Sequence, residues 1–171
     1  MQLIPLILRA FQAIFAIIVL GLSIDLARGQ ETRIESVPAA TGYAAFCGGF
    51  GVLVALIGIT SLFVSSLEGI ITWALDGLSA LTMLAAGIAY AVILRNASCN
   101  DYWTTWDNPI LSGGCADFGE GRVCNSDEGE SKSRCTSAKA DSAFMFISCV
   151  TCLGIVGWSF VKGGRGGWPK M

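Results

Sequence analysis

The chain has 171 residues, 53% of them hydrophobic and 14% charged, with 21 glycines, a positive mean hydropathy and a formal net charge of -2. That is more apolar surface than one soluble core can hide, and four apolar runs of roughly 20 residues leave length for one helical membrane domain and one sizeable loop. The small charge and the lack of a basic cluster exclude a nucleic-acid partner. The absence of histidine removes the commonest general base and metal ligand, so no enzymatic activity is expected. No metal or cofactor is expected either, bound membrane lipid or sterol aside.

The first expected span, residues 3–26, is interrupted by Pro5, Arg9 and Asp25. Its apolar stretch past Arg9 is long for a cleavable signal, and Asp25 stands where a signal peptidase needs a small residue before Ala27. Residues 27–41 mix Arg28, Glu31, Arg33 and Glu35 with Gly29 and Pro38 and read as a short solvated loop. The second span, 43–64, is glycine-rich and places small residues four apart at Ala44/Gly48, Ala45/Gly49 and Gly51/Ala55. That spacing lets helix backbones approach closely where lipid supplies no hydrophobic drive.

Residues 65–69 are too short to do anything but join antiparallel neighbours, so spans two and three form a helical hairpin. Span three, 70–94, holds a single acid, Asp76, and further small pairs at Ala85/Ala89 and Gly87/Ala91. Gly48, Gly51, Ala55, Gly87 and Ala91 are therefore read as helix-packing positions that face partner helices.

Residues 95–137 are the one long polar segment, with seven acids against four bases and the cysteines Cys99, Cys115, Cys124 and Cys135. Four cysteines in a glycine-rich loop without a core of its own read as a disulfide framework in an oxidising compartment, which places this loop outside the cell. Of the three pairings, nested closure fits best, Cys99 with Cys135 and Cys115 with Cys124. Cys99 and Cys135 lie just beyond the ends of two spans that must be close. The spacings of 16, 9 and 11 suit a four-thiolate metal site poorly, because zinc ligands usually come in close pairs. Span four, 138–161, contains Cys149 and Cys152 near mid-bilayer, where thiols act as small packing residues. The tail, 162–171, is basic, with Lys162, Arg165 and Lys170, and Trp168 suits the interface.

The basic tail and Arg9 place both termini in the cytoplasm by the positive-inside tendency. Asn96-Ala97-Ser98 is then a glycosylation sequon on the outer side, hard against the membrane. Arg9 and Asp76 fall at similar depth if spans one and three both start at the inner face, so an intramembrane ion pair is geometrically open. The alternative is a snorkelling Arg9 and an Asp76 that is protonated or bonded to Ser79 or Thr72. Asp25 and Glu68 read as solvated boundary charges, and only Asp76 reads as deep.

These residues resemble those of the MARVEL-domain membrane proteins, and most closely the fungal non-classical export protein family. The segments that carry the resemblance are Leu8-Arg9 in span one, Tyr43 opening span two, Glu68 in the short turn and Leu75-Asp76-Gly77-Leu78 in span three. Ser98-Cys99-Asn100 follows it, and Arg134-Cys135 runs through Ala143-Phe144 to Ser148-Cys149 in span four. No segment is specific alone; their order and membrane positions together make the match, over essentially the whole chain. It supports pairing Cys99 with Cys135. It implies an all-α, four-helix membrane bundle with a disulfide-braced extracellular loop between spans three and four. It further implies a non-enzymatic organiser of plasma-membrane domains in eisosome-like, sphingolipid-linked compartments. The extra pair Cys115 and Cys124 and the short tail depart from the family pattern.

The expected partners are membrane lipids, a second copy of this chain and other plasma-membrane proteins, with self-association through small-residue faces. Two rival functions are carried with it. One is a small channel or transporter subunit using Arg9 and Asp76. The other is a trafficking or cargo adaptor using Trp103, Trp106 and Phe118 of the loop as contact residues.

Overall fold

The structure, a computed structural model, describes residues 3–30, 37–62, 70–119, 121–125 and 127–166. Glu31, Arg33, Glu35, the 65–69 connection with Glu68, and the tail residues Trp168 and Lys170 lie outside the described residues. In chain order the elements are α1 (Leu3–Arg28), α2 (Ala39–Ser61), α3 (Ile70–Ile93), α4 (Tyr102–Trp106), β1 (Cys115–Phe118), β2 (Gly121–Cys124) and α5 (Glu128–Gly166). Four of these helices are long and apolar enough to cross a membrane: α1, α2, α3 and α5 over Glu128–Val161. The chain is a multi-pass membrane protein with an all-α, four-helix bundle.

The bundle closes as a ring, with α1 and α3 each packed against both α2 and α5. Each helix buries a stripe at alternating steps of three and four, the spacing that keeps one face turned inward. On α1 the stripe is Arg9, Gln12, Ala16, Val19, Ser23 and Leu26; on α3 it runs from Thr72 through Asp76, Ser79 and Met83 to Tyr90. Outward-facing positions are large and aliphatic, among them Ile17, Leu53, Leu81 and Val150, as a lipid-exposed surface requires.

Pro5 sits in the first turn of α1, where its missing N–H costs no helical hydrogen bond. Pro38 likewise stands immediately before α2, so that helix starts at Ala39 and ends at Ser61, a few residues ahead of the expected 43–64 at both ends.

Two expectations about the loop are corrected. Residues 128–137 are not loop but the first turns of α5: the Asp127 carboxylate accepts from the Glu130 N–H at 2.8 Å, and Glu128 and Glu130 in the first turn complement the helix dipole. Cys135 is therefore a helical residue. The loop also has its own small core, since Ile110 and Leu111 are fully buried and join the cluster that includes Leu94, Ala97 and Cys135.

Side chains pin this crown to the bundle ends. Asn108 Nδ2 donates to the Ile93 carbonyl at 2.9 Å, satisfying the end of α3, and Lys139 Nζ donates to the Ala97 carbonyl at 2.8 Å. Gln30 Nε2 donates to the Pro109 carbonyl at 3.0 Å. Gly113 and Gly114, at φ 70° and 99°, turn the chain into the β1–β2 hairpin through a conformation other residues rarely adopt. In that hairpin Cys115 lies directly opposite Cys124.

Gly48, Gly51 and Gly58 of α2 are spent inside the chain. A Cβ at Gly48 would lie 2.7 Å from the Leu20 backbone nitrogen, and one at Gly51 would lie 2.9 Å from the Met83 methyl and 3.0 Å from the Ala16 Cβ. Ala55 is fully buried, and Gly87 meets Phe146 and Met145 of α5. Ala91 differs: it is exposed on the outside of α3. Because backbone rather than a flexible side chain opposes Gly48, Gly48→Ala forces α1 and α2 apart. We expect it to lower stability by about 1–3 kcal/mol, the range for overpacking, in detergent unfolding, while Ala91→Leu leaves the midpoint unchanged.

Candidate functional site

The interior of the bundle is not uniformly apolar. Two polar layers cross it, separated by a band containing Ala16, Val19, Met83 and Met145, which are all fully buried.

The first layer is built on Arg9, two turns into α1. Arg9 Nη1 and Nη2 meet Asp76 Oδ1 and Oδ2 of α3 at 2.5 and 2.7 Å, a bidentate fork with Arg9 6% exposed and Asp76 fully buried. Gln12, one turn on from Arg9, locks the pair from the side. Its Oε1 accepts from Arg9 Nη1 at 2.8 Å, and its Nε2 donates to Asp76 Oδ1 at 3.1 Å and to Cys152 Sγ of α5 at 3.3 Å. Cys152 in turn lies 3.8 Å from Ser79 Oγ. On α2, Gly58 leaves the room this needs, since a Cβ there would run into the Arg9 guanidinium. All four long helices thus contribute, and the charge is neutralised with its hydrogen bonds made. A satisfied buried pair in this geometry holds register between helices and offers no open coordination to a passing ion.

The second layer lies near the crown and is absent from the expectations above. Asp141 of α5, the fourth residue of the expected span 138–161, is fully buried and accepts from Ser23 Oγ of α1 at 2.7 Å. Tyr90 of α3 and Thr41 of α2 are fully buried too, and Tyr90 lies within electrostatic reach of Asp141 and beside Thr41 and Ser23. The interior of the bundle therefore holds two acids, not one. A usable signal existed: Asp141, Met145, Ser148 and Cys152 recur at steps of four, three and four, which puts Asp141 on the same face of α5 as the thiol of the first layer.

Above that layer Arg134 closes the bundle end. Its Nη2 donates to the Leu26 carbonyl of α1 at 3.1 Å and to the Ile110 carbonyl of the loop at 2.9 Å, and Asp25 and Glu130 are its acidic neighbours. Asp25 itself is exposed.

The loop cysteines form two disulfides, Cys99–Cys135 with a Cα separation of 5.4 Å and Cys115–Cys124 with 4.0 Å. The first ties the segment after α3 to α5; the second closes the hairpin on itself. Cys47, Cys149 and Cys152 are free thiols and buried. Asn96 is exposed, three residues beyond the end of α3. Trp103 is 76% exposed on α4 and stands edge-on to Trp106. Among the described residues no group of three or more histidine, cysteine or acidic side chains is placed to hold a metal ion.

Comparison with known proteins places this geometry. Residues 2–158 match the family model MARVEL, described as a membrane-associating domain. Neither a curated protein nor a solved structure matches the chain.

Proposed function

This chain belongs to the MARVEL family of membrane-associating domains, and we propose that it is a non-enzymatic organiser of the plasma membrane that associates laterally with copies of itself and gathers lipid and other membrane proteins. The observation that carries the reading is the division between inside and outside. The Arg9–Asp76 layer is closed upon itself, while the outward surface is aliphatic and ready for lipid or for another helix. Work of this kind is done by the exterior.

The glycines that serve self-association are not Gly48, Gly51 or Gly58 of α2, whose space α1 and α3 already fill. Gly154 and Gly157 of α5 and Gly77 of α3 have nothing within 4 Å of a would-be Cβ, so they are open to close approach by a second copy. The Arg9–Asp76 pair acts as a clamp rather than a gate. The crown, with both disulfides, faces the oxidising side and both termini face the cytoplasm, as the basic tail favours. The resemblance to the fungal non-classical export proteins supports placement in eisosome-like, sphingolipid-linked compartments, with bound lipid or sterol against the aliphatic faces. Exposed Trp103 supports a further role in contacting other membrane proteins.

The test is oligomeric order in native lipid, read by native mass spectrometry and electron cryo-microscopy of protein extracted with its surrounding bilayer. A regular assembly is expected, and Gly154→Leu with Gly157→Leu should reduce it to single copies without moving the unfolding midpoint. A monomer spread evenly through the membrane, before any substitution, would overturn the reading.

A further inference from the structure

The second polar layer contains a carboxylate with no basic partner. Asp141 is fully buried, and one of its oxygens accepts from Ser23; the other, Oδ1, has no hydrogen-bond partner among the described residues. In strict hydrogen-bonding geometry the same holds for Thr41 Oγ1 and Tyr90 Oη, from the two remaining helices, although the Tyr90 hydroxyl lies beside Thr41 and Ser23; both residues are also fully buried. Unpaired polar atoms are rare inside a protein because each forfeits its bonds to water, and three in one layer, one of them a carboxylate oxygen, are not accounted for by packing. The contrast with the first layer is direct, since Asp76 has a guanidinium on both oxygens. Here the guanidinium of Arg134 is engaged at the Leu26 and Ile110 carbonyls and has Glu130, Asp25 and Tyr90 within its electrostatic reach, but it makes no hydrogen bond to Asp141. Lys139 is exposed and bonded to the Ala97 carbonyl.

We infer that Asp141, Ser23, Thr41 and Tyr90 form a binding site for a monovalent alkali cation at the crown end of the bundle. The donor set is entirely hard oxygen, one carboxylate and three hydroxyls, which suits an alkali ion and not a soft transition metal. Charge selects the valence: one carboxylate with one monovalent ion leaves the site neutral, whereas a divalent ion would leave a net charge buried among helices. A proton on Asp141 Oδ1 fits less well, because no acceptor stands in hydrogen-bonding geometry to that atom. The site takes one ligand from each of the four long helices, so the ion ties α1, α2, α3 and α5 together.

The test uses the full chain in lipid nanodiscs above neutral pH, with thermal unfolding followed in sodium, potassium or choline chloride at equal ionic strength. Sodium or potassium at about ten times its dissociation constant should raise the midpoint over choline by about 3–6 °C, the shift mass action gives for binding to the folded state alone. Asp141→Asn should abolish that difference, and Tyr90→Phe, which keeps the ring and its packing, should weaken the apparent affinity several-fold. Broadening of the sodium-23 resonance by the unsubstituted protein gives a readout that needs no variant. Equal midpoints in choline, sodium and potassium, or a cation effect that survives Asp141→Asn, would overturn the inference. A midpoint that responds to pH alone would overturn it in favour of a proton or a bound water.

Discussion

Arg9→Leu should lower the stability of the bundle by about 3–5 kcal/mol, the loss expected when one partner of a buried ion pair is removed and the other is left charged. Asp76 cannot escape to water: it is fully buried, and Gln12 would still donate to it. The unpaired acid also burdens membrane insertion, by about 2.5–3.5 kcal/mol for a charge at helix centre. Arg9→Leu combined with Asp76→Leu should recover most of this, because both charges then leave together. Recovery stays incomplete, since Gln12 Oε1 loses the Arg9 donor and a stranded acceptor costs about 1–3 kcal/mol. Detergent unfolding of the two single variants and the double variant measures the coupling. A double variant as unstable as the singles would show that the pair does not act as the clamp described above.

The disulfides should differ from each other in a predictable order. Cys99–Cys135 spans 36 residues and Cys115–Cys124 spans nine. On the chain-entropy account, losing the first costs at most about 4 kcal/mol and losing the second about 2–3 kcal/mol. Their consequences differ in kind as well. Cys99→Ser with Cys135→Ser frees the segment that bears Ile110, Leu111 and Asn108, so the crown should become sensitive to proteases and α3 should lose the satisfied end that Asn108 supplies. Cys115→Ser with Cys124→Ser opens only the hairpin. Limited proteolysis of intact cells or proteoliposomes, followed by unfolding midpoints, reads both effects. A larger loss from the hairpin disulfide would contradict the assignment of Cys99–Cys135 as the main brace.

The four spans were legible because bilayer thickness constrains apolar length so strongly that composition alone reveals it. Arg9 and Asp76 could be put at one depth by counting residues from the same face, and the structure brings them together. Direction around the helix axis was not legible. A membrane helix is apolar on both its lipid side and its core side, so Gly48 and Gly154 look alike in sequence although one is wedged against Leu20 and the other stands open. Asp141 was hidden for another reason: it follows Arg134 and Lys139, and charges near a span end usually meet water. Only the extension of α5 beyond the apolar run, started by the Asp127 cap, draws Asp141 inward. The loop core was missed because Ile110 and Leu111 form too short a pair to register as a hydrophobic run.

The length of α5 has a mechanical consequence. At 39 residues it is about 58 Å long, nearly twice the hydrocarbon thickness, and its far end is riveted to the crown by Cys135 and Arg134. Because the crown is also pinned at Ile93 and Leu26, it moves when the bundle tilts as a whole. Bilayers that thin or thicken change the tilt of the helices spanning them. A 10° change, taken about Cys149, would swing the Glu128 end by about 6 Å at 1.5 Å of rise per residue. A change in local membrane thickness would in this way shift the crown along the membrane surface.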